Sequence, residues 1–204
     1  MDKKIEENFE KWINFLNPDN LKDNLIFCSL YISFYETTKD YVVSQLESFF
    51  SIGYNSVDGD IISPDYKEKV LALDSKKNPM NASLIWFRNE GAIDENDIHE
   101  LSEIRKSRNL LAHEMLEHLF EGINKDFAEK FAKLIEIRVK IERWWVWNIE
   151  IPTSDNEYPD DLKEEDVMTS SQITYQLIMD IVSGDAEKSK YYYNEFLKVK
   201  EKGL

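Results

Sequence analysis

One cysteine, Cys28, is all the chain has, so no intrachain disulfide framework is available to it. A lone thiol in an apolar helical stretch suits a reducing cytoplasm and reads as a buried, inert group. Paired-cysteine zinc spacing is excluded for the same reason. Six glycines and five prolines are few breakers for 204 residues, which favours long helices. There is no glycine-rich phosphate loop and no Gly-x-Ser-x-Gly elbow. No run approaches the ~18 apolar residues that mark a membrane span. The first residues pass straight into an amphipathic pattern without a signal-peptide core, so a cytoplasmic protein with no membrane partner is expected. Positive charge is scarce as well. Lys and Arg number 25 against 40 Asp and Glu, a formal net charge of −15. Such a balance repels polyphosphate at long range. Nucleic-acid binding would therefore need a local basic patch, and the compact candidate is Arg105, Lys106 and Arg108.

What is present is a globular composition, with 42% hydrophobic and 13% aromatic residues. The length suits one domain with an appendage. Ile5, Phe9, Trp12, Ile13 and Leu16 recur at helical spacing and end at Asn17-Pro18. Leu21 to about Phe50 reads as one long helix, followed by a loop over Gly53–Asp60 with Asp58-Gly59 as its turn. Ser63-Pro64 starts a short helix that ends before Asn78-Pro79, and Asn81 caps another that runs to Gly91. A helix over residues 96–121 follows, closed by Gly122. Asn124 caps the next, from Lys125 to about Trp147. Ile149–Asp166 carries two prolines and eight acids against one lysine, and reads as a solvated linker or an ordered loop. Helices over Ser171–Val182 and Asp185–Lys202 complete the chain. Ile149-Glu150-Ile151 is the one candidate strand. The expected fold is all-α: an antiparallel helical bundle over 1–147, an acidic segment over 148–169, and a C-terminal helical extension over 170–204 packing on the bundle.

The helix over 96–121 carries the chemistry. At ~100° per residue, with Leu101 at zero, Ile104, Leu111, Ala112, Met115 and Leu119 fall between about −80° and +20°. Arg108 falls at about −20°, inside that core stripe, where a cation requires a partner such as an acid on a neighbouring helix. Arg105, Asn109 and His113 lie along one edge of the stripe. A guanidinium grips phosphate with a planar fork and keeps its charge. An imidazole moves protons near neutral pH. Arg108 and His113 are five residues apart, hence about 140° around the helix. One helix alone is a poor site, and two copies meeting about a two-fold axis would gather both pairs into one cleft.

Other constellations are weaker. His113-Glu114-Met115-Leu116-Glu117-His118 spaces its histidines one residue too far for a zinc-binding HExxH helix, so no metal ligands are assigned. Arg143-Trp144-Trp145-Val146-Trp147 reads as core rather than as a base-stacking platform, and Tyr191-Tyr192-Tyr193 likewise as packing.

Arg108-Asn109-Leu110-Leu111-Ala112-His113, an Arg-polar-x-x-x-His run inside a helix, resembles the signature of the HEPN superfamily, the helical domains of many prokaryotic toxin, abortive-infection and CRISPR-associated ribonucleases. The match is tight over these six residues, and the helix-rich pattern of 1–147 agrees with it. The resemblance implies a homodimeric endoribonuclease in a toxin–antitoxin or phage-defence setting, with RNA as substrate, no cofactor, and an antitoxin of nucleotidyltransferase type as a partner. It implies Arg108 and His113 as catalytic residues, with Asn109, Arg105 and Lys106 at the substrate. The reaction would be attack of a ribose 2′-hydroxyl on the adjacent phosphate, leaving a 2′,3′-cyclic phosphate and a 5′-hydroxyl. The net charge and the shortage of basic residues elsewhere favour a second reading, a non-catalytic protein of the same scaffold that binds a protein or nucleotide partner.

Overall fold

A computed structural model describes residues 3–57, 59–183 and 186–201. The fold is all-α apart from one small hairpin. The chain divides between Ile141 and Glu142 into two compact units.

In the first unit, α1 (Lys3–Leu16) and α2 (Pro18–Phe49) meet at Asn17. The Asn17 side chain accepts from the N–H of Asp19 at 3.0 Å, and Pro18 occupies the first turn of α2, where its missing N–H costs nothing. Cys28, Tyr31, Tyr35, Thr38, Val42 and Leu46 recur three or four residues apart and form the buried face of α2. The stripe expected on α1 is different: Phe9, Trp12, Ile13 and Leu16 are about half or more exposed. Trp12 and Phe15 nonetheless pack against Phe120.

Where a loop is expected, the chain forms an antiparallel hairpin, β1 (Ser51–Asn55) and β2 (Gly59–Ile62), with a bulge between Ser51 and Gly53. Gly59 supplies the positive φ (80°) that the turn needs. Its neighbour Asp58 lies outside the described residues. Ser63 caps α3 (Pro64–Lys69). Asn78, not Asn81, caps α4 (Pro79–Asn89): its side chain accepts the Asn81 N–H at 3.0 Å and Pro79 takes the first turn.

The expected continuous helix over 96–121 is two helices, α5 (Glu95–His113) and α6 (Met115–Glu121), broken at Glu114 (φ −120°, ψ 24°). The break re-aims α6 so that Leu119 is buried and Phe120 meets α1. Ala112, placed on the core stripe by phase, is exposed. Gly122, at φ 89°, closes α6. Asn124 caps α7 (Lys125–Trp145), which packs Phe127 and Phe131 on the α2 aromatics.

Asp97 fixes the start of α5. It closes a capping box with Asp94 and reaches Lys140 at 3.1 and 3.2 Å and Lys133 at 3.4 Å, with its side chain 2% exposed. Burial works to raise its pKa. The Asp94 N–H and the two ammonium groups outweigh that, so the carboxyl is held below its ordinary value. Its contribution to stability is thus complete above the ordinary range near ~3.9 and is lost as pH falls through the lowered value. Lys133 moves the other way: burial would lower its pKa, but Glu136 and Asp97 raise it. Its contribution holds below ~10.4 and is lost only as pH rises through the raised value. Asp97→Asn is expected to cost about 2 kcal/mol at neutral pH, the worth of charged hydrogen bonds, and to flatten the acid limb of stability. Urea midpoints measured from pH 3 to 7 check both.

In the second unit, α7 gives way to a π turn (Val146–Glu150) and a short turn, α8 (Ile151–Thr153). Ile149–Ile151 is therefore helical and not a strand. The buried carboxylate of Glu142 accepts from both N–H and Oγ of Ser171, at 3.2 and 2.5 Å, and Arg143 Nε donates to the Val167 carbonyl at 3.3 Å. These bonds tie the far end of the acidic segment back to the end of α7. Helices α9 (Ser170–Ser183) and α10 (Ala186–Glu201) follow. The expected breaker Gly184, Asp185 and the end at Lys202 lie outside the described residues. Trp145 is buried, whereas Tyr191 and Tyr193 are more than half exposed, contrary to the packing role expected of them. Among the described residues no helix is long and apolar enough to cross a membrane.

Candidate functional site

Helix α5 is rolled into place by its buried line Leu101, Ile104, Ser107 and Leu111. The Tyr31 hydroxyl reaches the Ile104 carbonyl of that line at 3.4 Å. Burial raises the Tyr31 pKa far above the ordinary phenol value, so it remains a neutral donor. With this line facing inward, Arg108 stands at its edge and is half-buried, not enclosed in the core stripe where its phase alone places it.

The acid partner that such a position requires is Glu36 of α2. Arg108 Nη2 meets its Oε1 at 2.5 Å, with side-chain exposures of 26% and 33%. Arg108 Nη1 also donates to the Asn109 side chain at 3.1 Å. Its Nε is buried and has no hydrogen-bond partner among the described residues.

Arg105, Arg108 and Asn109 line one cleft of about 280 Å³ together with Tyr35, Glu36 and Lys39 of α2. Burial raises the Tyr35 pKa, while the nearby Arg105 and Arg108 guanidiniums pull it back in part. A local cationic patch thus exists on a strongly acidic chain. Lys106 is not part of it: it is exposed and tied to Glu103 at 2.5 Å. His113 is the last residue of α5, exposed, and does not line the Arg108 cleft. Within one copy, the cleft gathers Arg105, Arg108 and Asn109, while His113, one turn beyond Asn109 at the end of α5, does not line it.

Glu36, Lys39 and Tyr35 went unnoticed in the sequence. Their signal there is faint: Tyr35 continues the buried periodicity of α2, while Glu36 and Lys39 sit 72 and 69 residues before Arg108 with no pattern linking them. The other histidines contribute nothing to the cleft. His99 is exposed, and His118 sets its ring edge-on to Phe127 at 5.1 Å. Among the described residues no group of three or more His, Cys, Asp or Glu is arranged to hold a metal ion. Comparison with protein-family models, characterised proteins and solved structures gives no match for this chain.

Proposed function

We propose that this chain is a metal-independent endoribonuclease of the HEPN type, serving as a toxin or phage-defence effector. The observation that carries the reading is the Arg108-Asn109-x-x-x-His113 run on one helix, with Arg108 half-buried in a cationic cleft and His113 unobstructed at the helix end. Arg108 holds the scissile phosphate and stabilises the charge that builds on it. His113 moves the proton between the ribose 2′-hydroxyl and the leaving oxygen. Because the two side chains face different directions, the working site is composite, formed where two α5 helices meet in a homodimer. One histidine then serves as base and the other as acid. An antitoxin of nucleotidyltransferase type and a cytoplasmic location belong to the same proposal.

The chemistry needs no divalent ion, since the arginines do the charge work. Purified protein is expected to cleave single-stranded RNA in EDTA and to leave 2′,3′-cyclic phosphate ends. Cleavage lost in EDTA and restored by magnesium or manganese defeats this mechanism and moves the search to the carboxylates. Light scattering is expected to give a dimer at micromolar concentration.

One observation favours the second reading, a non-catalytic helical protein that binds a protein or nucleotide partner. Glu36 already occupies Arg108, so an incoming phosphate has to displace a carboxylate in a chain of net charge −15. Wild-type protein that leaves structured and unstructured RNAs intact, alone and with its neighbouring gene product, decides for that reading.

A further inference from the structure

Helix α1 turns its apolar stripe outward. With Phe9 at zero and ~100° per residue, Trp12, Leu16 and Ile13 fall at about −60°, −20° and 40°. All four are about half or more exposed, Phe9 at 63% and Leu16 at 67%. The helix is held from behind. Phe15 and Lys11, at about −120° and −160°, meet Phe120 and Glu121 of α6. Trp12 bridges to α6 as well, edge-on to Phe120 with ring centroids 4.9 Å apart. One turn before Phe120, on the same side of α6, Leu116 is 78% exposed. The intervals of three and four residues among Phe9, Trp12, Ile13 and Leu16 are those of a face that packs on another helix. Exposed apolar side chains gathered in this way and rimmed by charge mark a protein-binding surface.

The rim says what kind of partner fits. Glu6 and Glu10 fall at about 60° and 100°, along the edge of the stripe. Over residues 3–23 and 114–121 together, eight acids stand against four lysines, Lys3, Lys4, Lys11 and Lys22. Lys11 is engaged by Glu121, and the side chains of Lys3 and Lys4 lie outside the described residues. A second copy would set acidic rim against acidic rim, since a two-fold contact pairs a patch with itself. RNA and anionic lipid are repelled for the same reason. The complementary partner is cationic.

We propose that the outer face of α1, with Leu116 of α6, docks an amphipathic helix of a partner protein, one whose stripe of large apolar residues is flanked by Lys or Arg. The apolar side chains seat between Phe9, Ile13 and Leu16, and the cations meet Glu6, Glu10 and Glu117. This surface does not depend on the ribonuclease reading.

The probe is a fluorescently labelled peptide of leucine and lysine, about four helical turns long, with its leucines on one face. Two controls share its length: a scrambled peptide of the same composition without a face, and a leucine–glutamate peptide of the same pattern. Anisotropy titration with the whole protein is expected to show the leucine–lysine peptide binding at least about tenfold more tightly than either. Added salt should weaken it. The double change Phe9→Ala and Leu16→Ala removes exposed side chains and leaves the fold standing. It is expected to weaken the peptide by about tenfold or more. Tyr54→Ala, on the hairpin beyond the far end of α2 and similarly exposed, should leave binding unchanged. Equal binding of the three peptides, equal binding by wild type and double variant, or no binding at all overturns the proposal. So does a wild-type dimer in light scattering that the double variant dissociates, which gives the face to a second copy. Binding of phosphatidylglycerol vesicles that depends on Phe9 and Leu16 overturns it too, in favour of a membrane. RNA cleavage enters none of these readouts.

Discussion

Replacing His113 with alanine is expected to lower RNA cleavage by at least ~10²-fold, the usual worth of a positioned proton carrier. The thermal unfolding curve should be unchanged, because an exposed side chain at a helix end contributes within about 0.5 kcal/mol of nothing to stability. That pairing of effects separates a chemical role from a structural one. Arg108 behaves differently. Arg108→Ala should also abolish cleavage, but it strips Glu36 of its partner and empties part of the cleft, so stability moves as well. Arg108→Lys keeps the charge and loses the fork, and it should recover folding far better than activity. Cleavage assays with end-group analysis, run beside thermal melts, measure all three. Full activity in His113→Ala would end the proposed mechanism, whatever the fate of the Arg108 variants.

Much of the helical framework was legible because its punctuation is local. Ser63-Pro64 and Asn124 each start a helix as read, and Asn17-Pro18, read as the end of α1, also caps α2; the Asn17, Ser63 and Asn124 side chains accept backbone N–H groups within three residues. The hairpin was not legible. Its apolar residues Ile52, Tyr54, Val57 and Ile61 are all exposed, and a bulge spoils the alternation that would mark a buried strand face. The break at Glu114 has no sequence breaker either. Glutamate is a good helix former, and the interruption follows from where α6 must point to reach α1 and α2.

The candidate site divides along the same line. The phase of Arg105, Arg108, Asn109 and His113 on one helix is arithmetic, and the fold respects it. What Arg108 touches is tertiary. Glu36 arrives from α2, and Met80 of α4 lines the same cleft. No spacing within α5 encodes them. Lys106, adjacent in sequence to Arg105, falls at about 140° on the same wheel, outside the arc from about −20° to 80° that holds Arg108, Arg105 and Asn109, and it has no part in the cleft.

The Arg108 cleft depends on α2 being held rigidly, and the fixture is aromatic. Phe131 of α7 is 5% exposed, stacks on Tyr31 with ring centroids 5.6 Å apart and planes 27° from parallel, and meets Phe27 and Phe34 edge-on at 5.6 and 5.9 Å. Three consecutive turns of α2 thus close around one ring. Phe131→Ala removes the ring from a site whose walls belong to two long helices and cannot collapse onto the gap. The expected cost is about 3–5 kcal/mol, the upper range for large-to-small core changes, a figure that includes the lost aromatic pairs. Phe131→Leu keeps much of the apolar volume but loses the three ring pairs, and should cost clearly less than the alanine variant. Urea denaturation reads both, and a loss under ~1 kcal/mol for the alanine variant would show that α7 does not brace α2 through this ring. Tyr35, Glu36 and Lys39 lie within two turns of the braced segment. The alanine variant is therefore expected to lose RNA cleavage at temperatures where it is still folded, whereas the leucine variant retains it.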